Sequence, residues 1–293
     1  MPADRDVLTL GHSPDPDDAF MFYAMATSKV DLRGYRFEHR LEDIQTLNER
    51  ALRGELHISA VSIHAYAYIS DRYALLPCGA SMGDGYGPVL VQQRRTSNIE
   101  HRIRHEDVDL ATRLHGCVIA VPGRKTSAFL ALQLLLGNFD FIVVPFDQIF
   151  DTVKDGHADL GLIIHEGQLT FVQAGFEKIV DLGEWWKRET RLPLPLGGNV
   201  VRKDIPLHVR HDILDIVQAS IDYGLTHRAE AVAHALAYAR DMNKQLADKF
   251  IGMYVNNYTR DYGETGRAAV RRFLGDAHDA GYLDKPVALE FVE

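Results

Sequence analysis

The sequence contains little cysteine and no long hydrophobic segment. Its 293 residues include two cysteines, Cys78 and Cys117, too few for a disulfide framework and not spaced as a paired-cysteine metal motif. No apolar run is long enough to span a bilayer, and the polar amino terminus lacks the apolar core of a signal peptide. These absences predict a cytoplasmic protein that does not enter a membrane.

Basic clusters are also missing. The formal net charge is −9, with 32 Lys and Arg residues against 41 Asp and Glu residues. A nucleic-acid partner is not expected, because no basic block is present to neutralise phosphates. A small anionic ligand is compatible with this charge, since the amino terminus of a helix is locally positive. A homodimer is also compatible with the sequence, which does not fix the oligomeric state.

Strand-like and helix-like patterns alternate through the first half of the chain. They predict strands at 7–11, 35–41, 58–61, 73–76, 88–92, 117–121, 141–145 and 160–164, and helices at 17–27, 43–53, 62–70, 126–136 and 146–154. The polar, aperiodic residues 94–113 predict a surface insertion. After Pro206, amphipathic patterns predict helices at about 207–227, 229–242, 244–257 and 263–280. This order indicates an α/β fold with mostly parallel strands and a helical carboxyl-terminal segment.

The order of the segments also indicates two lobes. The chain leaves one αβ unit, builds a second and returns through residues 192–201, a proline-containing segment whose end is strand-like. We expect a discontinuous first lobe at 1–94 and 198–293 and a second lobe at 95–197. A ligand cleft would then lie between the lobes, which a hinge motion could close.

A histidine follows one of the buried strands. Residues 158–164 form an apolar run after an acidic turn, and His165, Glu166 and a glycine come next. Ligand crevices in open α/β sheets lie outside the carboxyl ends of the strands, where His165 would stand. A neutral imidazole there suits proton abstraction. The alternative, which the local pattern alone favours, is a core or rim histidine hydrogen-bonded to a backbone carbonyl.

Two strand–helix junctions carry hydroxyl groups. Thr126 and Ser127 begin a helix after a glycine turn, where free amides and the helix dipole favour an anion. Ser62 begins another helix directly after a strand. The alternative at both junctions is an ordinary helix cap without a ligand.

Two loops complete the candidate set. Gly85 belongs to the glycine-rich residues 83–87, which resemble a binding loop. Ser13 and Asp15 follow the first strand, and Asp15 is expected to point into the cleft. For the carboxylates of this loop we expect Asp17 or Asp18 to cap the following helix, and we predict no metal site.

Taken together, these segments resemble the menaquinone-biosynthesis branch of the periplasmic-binding-protein-like superfamily, and most closely the 1,4-dihydroxy-6-naphthoate synthase family. The matching blocks are Ser13-Pro14 with Asp18 and Phe20, Leu41-Glu42-Asp43 with Thr46-Leu47-Asn48, Ser62 with Ala65-Tyr66, Gly83 with Gly85 and Gly87-Pro88, Val121-Pro122-Gly123-Arg124 with Thr126, Gly161-Leu162-Ile163-Ile164-His165-Glu166, Val180-Asp181-Leu182-Gly183 with Trp185-Trp186, and Leu192-Pro193-Leu194-Pro195-Leu196-Gly197. They cover most of the first 200 residues, whereas the helical tail matches only in character.

The resemblance implies a two-lobed, type 2 periplasmic-binding-protein-like fold and a cofactor-free lyase. The implied reaction converts cyclic dehypoxanthine futalosine to 1,4-dihydroxy-6-naphthoate in the futalosine route to menaquinone, with His165 as the catalytic base. Thr126 and Ser127 would bind the substrate carboxylate, and Asn48 would add amide contacts. The remaining residues expected to bind substrate are Ser13, Asp15, Ser62, Gly85 and Glu166.

The first loop departs from the pattern of this family. There the loop usually reads Ser-Pro-Cys-Pro-Asn-Asp-Thr-Phe, whereas this chain has Ser13-Pro14-Asp15-Pro16-Asp17-Asp18-Ala19-Phe20. The added carboxylates would repel an anionic substrate unless they are neutralised or turned away, and a sister activity stays open. One alternative function is a non-catalytic protein that closes on a small anion. Another is chorismate dehydratase, whose first loop is of Ser-Tyr-Leu-Asn type and which lacks the His-Glu block.

Overall fold

The computed structural model describes residues 7–94, 109–238 and 243–293. Most of the predicted insertion at 94–113 and the end of the helix predicted at 229–242 lie outside these ranges. The strands are β1 (Val7–His12), β2 (Arg36–Leu41), β3 (Ile58–Ser62), β4 (Tyr73–Leu75), β5 (Ser81–Gly83), β6 (Val89–Gln93), β7 (Val118–Val121), β8 (Asp140–Val143), β9 (Leu160–Ile163), β10 (Phe176–Asp181) and β11 (Leu194–Arg202).

Helices connect the strands and form the tail. They are α1 (Pro16–Met21), α2 (Tyr23–Ala26), α3 (Ile44–Arg53), α4 (Ile63–Tyr66), α5 (Leu110–Arg113), α6 (Ser127–Leu136), α7 (Ile149–Lys154), α8 (Gly167–Thr170), α9 (Leu182–Thr190), α10 (Leu207–Thr226), α11 (Arg228–Ala235), α12 (Lys244–Tyr254), α13 (Asn257–Arg260) and α14 (Gly263–Asp279). None of the described helices is long and apolar enough to cross a membrane.

The strands of the described residues form two sheets. In each sheet one strand runs in the direction opposite to the other strands. The first sheet has the order β2-β1-β3-β11-β4, with β5 also paired to β11, and β11 is antiparallel to all three of its neighbours. The second sheet has the order β10-β6-β9-β7-β8, and β6 is antiparallel to both of its neighbours. The remaining direct pairs are parallel, in agreement with the prediction.

The two reversed strands are the ones that cross between the sheets. β6 follows β5 of the first sheet and enters the second, and β11 follows α9 of the second lobe and enters the first. We therefore propose that the crossings lie at residues 84–88 and 191–193, a few residues before the boundaries expected above. With crossings at these residues, the second lobe would be inserted into the first.

Several elements differ from the sequence-based expectations. The helix predicted at 17–27 is divided into α1 and α2 at Phe22, whose ring stacks on the ring of His12 with centroids 4.7 Å apart. Residues 62–70 contain the short α4 followed by turns. β5, β10 and α9 were not predicted. The helices predicted at 207–227 and 263–280 agree closely, whereas the one predicted at 229–242 ends at Ala235 and the one predicted at 244–257 ends at Tyr254.

The two lobes share a continuous apolar interior. One cluster of buried side chains includes Val61 from β3, Leu90 from β6, Leu130 from α6 and Phe273 from α14. The indole ring of Trp186 packs edge-on against Phe273 at 5.4 Å between centroids, and its Nε1 donates to the carbonyl of Pro193 at 3.0 Å. The tail therefore fixes the crossing segment as well as covering the first lobe.

Candidate active site

A cleft lies between the two sheets, at the carboxyl ends of β1, β3, β7 and β9. It offers about 120 Å³ of room to a water-sized molecule and is partly open to solvent. The residues that line it are Ser13, Asp15, Asp17, Asp18, Ile44, Ala60, Val61, Ser62, Gly79, Ser81, Pro88, Thr126, Ser127, Ala128, Ile164, Leu196, Gly197, Gly198, Asn199, Phe250 and Tyr254. The placement agrees with the general position of ligand crevices in open α/β sheets.

The start of α6 presents peptide amides to the cleft. The Thr126 hydroxyl donates to the Gly123 carbonyl at 2.9 Å and accepts from the Phe129 amide at 3.2 Å. The Ser127 hydroxyl donates to the Leu196 carbonyl at 2.6 Å. Within the described ranges, the peptide N–H groups of Ser127 and Ala128 have no hydrogen-bond acceptor. An anion here would therefore bind to these amides rather than to the two hydroxyls.

The first lobe adds a hydroxyl beside these amides. The Ser127 hydroxyl also accepts from the peptide N–H of His64 at 3.1 Å, which brings the starts of α4 and α6 together. Ser62 occupies the position before α4, makes no side-chain capping bond and lines the same cleft. We name the Ser62 hydroxyl and the Ser127 and Ala128 amides the anion corner. Each lobe contributes to it.

Asn48 makes two hydrogen bonds to Ser62 from outside the cleft. The Asn48 side-chain carbonyl accepts from the peptide N–H of Ser62 at 2.8 Å, and its amide nitrogen donates to the Ser62 hydroxyl oxygen at 3.0 Å. This leaves the hydroxyl hydrogen of Ser62 to donate toward a ligand. Asn48 itself is 0% exposed and is not among the described residues that line the cleft. It therefore orients Ser62, whereas the sequence suggested direct amide contacts.

The carboxylates of the first loop face the cleft. Asp18 accepts a hydrogen bond from the peptide N–H of Ser13 at 2.7 Å, and the Ser13 hydroxyl accepts from the peptide N–H of Asp15 at 3.0 Å. The prediction that Asp17 or Asp18 caps the helix is wrong, because Asp15 occupies the cap position of α1 and makes no side-chain capping bond. Asp18 instead closes the loop that precedes the helix.

These carboxyl groups hold protons more tightly than usual. Burial raises the pKa of Asp18 to about 7, and the Asp15 charge adds to this effect. The pKa of Asp17 is raised well above its usual value, first by burial and then by the Asp18 and Asp15 charges. No Lys or Arg of the described segments forms an ion pair with Asp17 or Asp18. Burial and the neighbouring carboxylates thus favour the protonated, uncharged form of Asp17, which reduces the repulsion expected from the sequence.

His165 lies at the edge of the cleft, two residues after the end of β9. The ring is packed against Phe146 and Phe150, with centroids 5.3 and 6.3 Å away, and the residue is 8% exposed. A peptide N–H can only donate, so Nδ1 of His165 accepts from Gly167 at 3.0 Å, and Nε2 carries the proton that is donated to the Phe146 carbonyl at 3.1 Å. Among the described residues, Ile164 lines the cleft and His165 does not.

Two further residues that were predicted to bind substrate, Glu166 and Gly85, do not line the cleft. Glu166 is 8% exposed, and its carboxylate is 3.6 Å from Nδ1 of His165. Gly85 has a positive φ of 85° in the loop between β5 and β6, where a conformation that favours glycine is required. Neither is among the described residues that line the cleft. The structure thus brings together Ser13, Asp15, Ser62, Thr126 and Ser127, and places His165, Glu166, Asn48 and Gly85 around them.

Several residues of the cleft were missing from the predicted set. Asn199 was detectable in principle, because it is a polar residue in the interior of β11, between glycine and valine. Ser81 begins the short strand β5 and Asp17 lies in the first turn of α1, next to glycine- and proline-rich segments whose orientation the sequence does not fix. Tyr254 lines the cleft from α12, and its hydroxyl donates to Gln168 at 2.6 Å. No local pattern signals that contact, because the two residues are 86 positions apart.

Comparison with known proteins is consistent with this architecture. Residues 8–279 match the family described as menaquinone biosynthesis. The 1,4-dihydroxy-6-naphthoate synthase of Thermus thermophilus is 36% identical over 276 residues, which cover 94% of this chain and 96% of the relative. The enzyme of the same name from Streptomyces coelicolor is 34% identical over 294 residues, covering 98% and 99%.

Solved structures agree with the fold class predicted from the sequence. Protein AF1704 from Archaeoglobus fulgidus is 39% identical with a TM-score of 0.85, covering 96% of this chain and 100% of that one. The alkanesulfonate-binding protein SsuA from Xanthomonas axonopodis pv. citri has a TM-score of 0.71 at 9% identity, covering 97% and 96%, and so shares the fold alone. The two-lobed, periplasmic-binding-protein-like fold is thereby confirmed. The chain belongs to the menaquinone-biosynthesis family.

Proposed function

We propose that this protein is a cofactor-free carbon–carbon lyase that converts cyclic dehypoxanthine futalosine to 1,4-dihydroxy-6-naphthoate. The observation that carries the proposal is the anion corner, in which donors from both lobes meet at the strand ends of one cleft. A carboxylate bound there by the Ser127 and Ala128 amides would also accept from Ser62. Because the donors come from both lobes, substrate binding favours the closed cleft.

His165 would act as the base in this reaction. The hydrogen bond from Nε2 to the Phe146 carbonyl fixes the tautomer, so that Nδ1 carries the lone pair. Before it takes a proton, Nδ1 must release the peptide N–H of Gly167. Removal of an acidic proton next to a carbonyl would then start carbon–carbon cleavage, and aromatisation would stabilise the product. The substrate is held meanwhile by the anion corner.

A second candidate is the binding of a small anion without any reaction. It is favoured by the observation that both ring nitrogens of His165 are hydrogen-bonded to backbone groups. A histidine whose only role is to hold the turn after β9 would show the same contacts. The two functions differ in whether loss of the imidazole abolishes a chemical step or only weakens the fold.

The test is product formation from cyclic dehypoxanthine futalosine, followed by mass spectrometry, with His165→Ala beside wild type. His157→Ala, at an exposed histidine of the same lobe, is the matched control. We expect dihydroxynaphthoate from wild type and the control, and at least a hundredfold slower formation by His165→Ala. Product formation by His165→Ala at the wild-type rate would refute the role of His165. Tight binding with no product from folded wild type would favour the second function.

A further inference from the structure

The two ends of the cleft differ in their hydrogen-bonding character. The anion corner offers donors from Ser62, Ser127 and Ala128. The opposite end is lined by Asp17, Ser81 and Asn199, whose side chains carry oxygen atoms that can accept hydrogen bonds. A ligand that fills the cleft therefore meets donors at one end and acceptors at the other.

Strand β11 sets the distance between these ends. Gly197 is paired with Ser62 of β3 on one side and with Ser81 of β5 on the other. Neighbouring strands are about 4.8 Å apart, so Ser62 and Ser81 are separated by roughly 10 Å across the floor of the cleft. Gly197 lies between them without a side chain and keeps this floor open. The span is that of an aromatic ring with a polar group on each side.

Asn199 has an acceptor without a donor. Its amide nitrogen donates to the Gly79 carbonyl at 3.0 Å, which fixes the orientation of the amide group. The side-chain oxygen is buried and has no hydrogen-bond partner among the described residues, and Asn199 is 1% exposed. Buried acceptors in folded proteins normally find a donor, and this one lies in a residue that lines a ligand cleft.

Asp17 adds a carboxyl group that both donates and accepts. The Ser81 hydroxyl is 3.5 Å from a carboxyl oxygen of Asp17, a long hydrogen bond. The ionisable groups that act on Asp17 are Asp15 and Asp18 on its own segment, and Tyr254 faces it from α12. Burial raises the pKa of both Asp17 and Tyr254, which favours the uncharged form of each side chain. The carboxyl of Asp17 then offers one O–H and one carbonyl oxygen.

We propose that Asp17, Ser81 and Asn199 form a second subsite, which binds the hydroxyl groups of a sugar-derived or other polyol part of the ligand. This inference rests on the proposed function in one respect: the same ligand places its carboxylate in the anion corner. Hydroxyl groups match the subsite because each one donates and accepts, as the three side chains require. A bound metal ion is a poorer match, since no group of three or more His, Cys, Asp or Glu in the described ranges is arranged to hold one.

The test compares two probes by isothermal titration calorimetry at pH 7. Benzoate carries the carboxylate alone, and 3-(β-D-ribofuranosyl)benzoate carries the same carboxylate with a polyol across the ring. We expect wild type to bind the riboside at least tenfold more tightly than benzoate. In Asp17→Leu and in Asn199→Leu this ratio should fall below threefold, while Asp17→Asn, which keeps a neutral group of the same shape, should retain most of it. Thermal melting monitored by circular dichroism establishes that each variant is folded.

The outcomes separate this inference from the proposed function. An unchanged ratio in folded Asp17→Leu and Asn199→Leu would overturn the second subsite, even if wild type makes dihydroxynaphthoate. A ratio that collapses in both variants supports the subsite, even if wild type makes no product. Loss of the ratio in Asp17→Asn as well as Asp17→Leu would show that an ionised carboxylate is needed, and would overturn the neutral hydrogen-bonding role assigned to Asp17.

Discussion

The hydroxyl of Tyr254 donates a hydrogen bond to the side-chain oxygen of Gln168 at 2.6 Å. Tyr254 belongs to the helical tail and lines the cleft, whereas Gln168 belongs to the turn that carries His165. The peptide N–H of Gln168 in turn donates to the His165 carbonyl at 2.9 Å. The hydrogen bond therefore links Tyr254, which lines the cleft, to the segment that positions His165, the proposed base.

Tyr254→Phe should uncouple the tail from this turn. The variant leaves the buried oxygen of Gln168 without its donor, which costs about 1–2 kcal/mol of unfolding free energy. If the bond positions His165, kcat on the futalosine substrate should fall more than fivefold while KM changes less than twofold. Urea unfolding and steady-state kinetics measure the two effects, with Tyr238→Phe at an exposed tyrosine as the control. A loss of stability with unchanged kcat would mean that the bond is only structural.

Asn48 and Ser62 should behave as one unit in ligand binding. Asn48→Ala leaves the buried peptide N–H of Ser62 without its acceptor and should lower the unfolding free energy by about 1–3 kcal/mol. Benzoate affinity should fall in Asn48→Ala and in Ser62→Ala, but by no further factor in the double variant, because Asn48 acts through Ser62. Calorimetric titration of benzoate into wild type, the two single variants and the double variant measures this double-mutant cycle. Additive losses of binding free energy would contradict this relationship.

Gly197→Val should block the cleft without unfolding the protein. A Cβ atom at this position would meet only the Val61 carbonyl at 3.6 Å and the Ser81 Cβ at 3.7 Å, which are ordinary contacts. The branched side chain suits a strand and would fill the floor between Ser62 and Ser81. We expect at least tenfold weaker benzoate binding and little change in the melting temperature. Gly275→Val, where an added Cβ has no atom within 4 Å, is the control and should bind normally.

The contact between the lobes at His64 should weaken in acid. Burial lowers the pKa of His64 to about 4, and the nearby Lys125 charge adds to this effect. Between pH 6.5 and 4 the unfolded chain thus binds a proton that the folded protein does not, so stability is lost as the pH falls. His64→Gln should remove this contribution, which is at most about 1.4 kcal/mol per pH unit. Urea unfolding at several pH values checks it, and equal slopes for wild type and His64→Gln would contradict it. His157→Gln, at an exposed histidine, should keep the wild-type slope.

Much of the fold could be predicted because its signals are local. The apolar strand β9 and the amphipathic helix α3, which begins with the cap of Asp43 on the Gln45 and Thr46 amides, carry their structure in adjacent residues. The short strand β5 could not be found in this way. Its three residues pair with β11, more than 100 positions later in the chain, and only that pairing defines it as a strand.

The sequence predicted which residues lie at the strand ends around the cleft, but not how their side chains are oriented. Ser62 and Ser127 follow or begin regular elements, so their position in the cleft follows from the order of strands and helices. The direction of the His165 ring depends instead on the Phe146 carbonyl and the Gly167 amide, which the sequence does not place. For the same reason Asn48 was expected to contact substrate, although it holds Ser62. Contacts that orient a site residue, such as that of Asn48 with Ser62, depend on packing between segments that the sequence does not place together.

The position of β11 has a consequence for how the chain is made. This strand lies between β3 on one side and β4 and β5 on the other, yet it is synthesised only after the whole of the second lobe. During translation the edges of β3, β4 and β5 that pair with β11 therefore stay unpaired until β11 is made. At ordinary elongation rates this takes on the order of ten seconds. The contiguous second lobe has all of its strands available before then. The nascent chain thus favours folding of the inserted lobe first, with the first lobe exposed to aggregation and chaperone binding until Arg202 emerges.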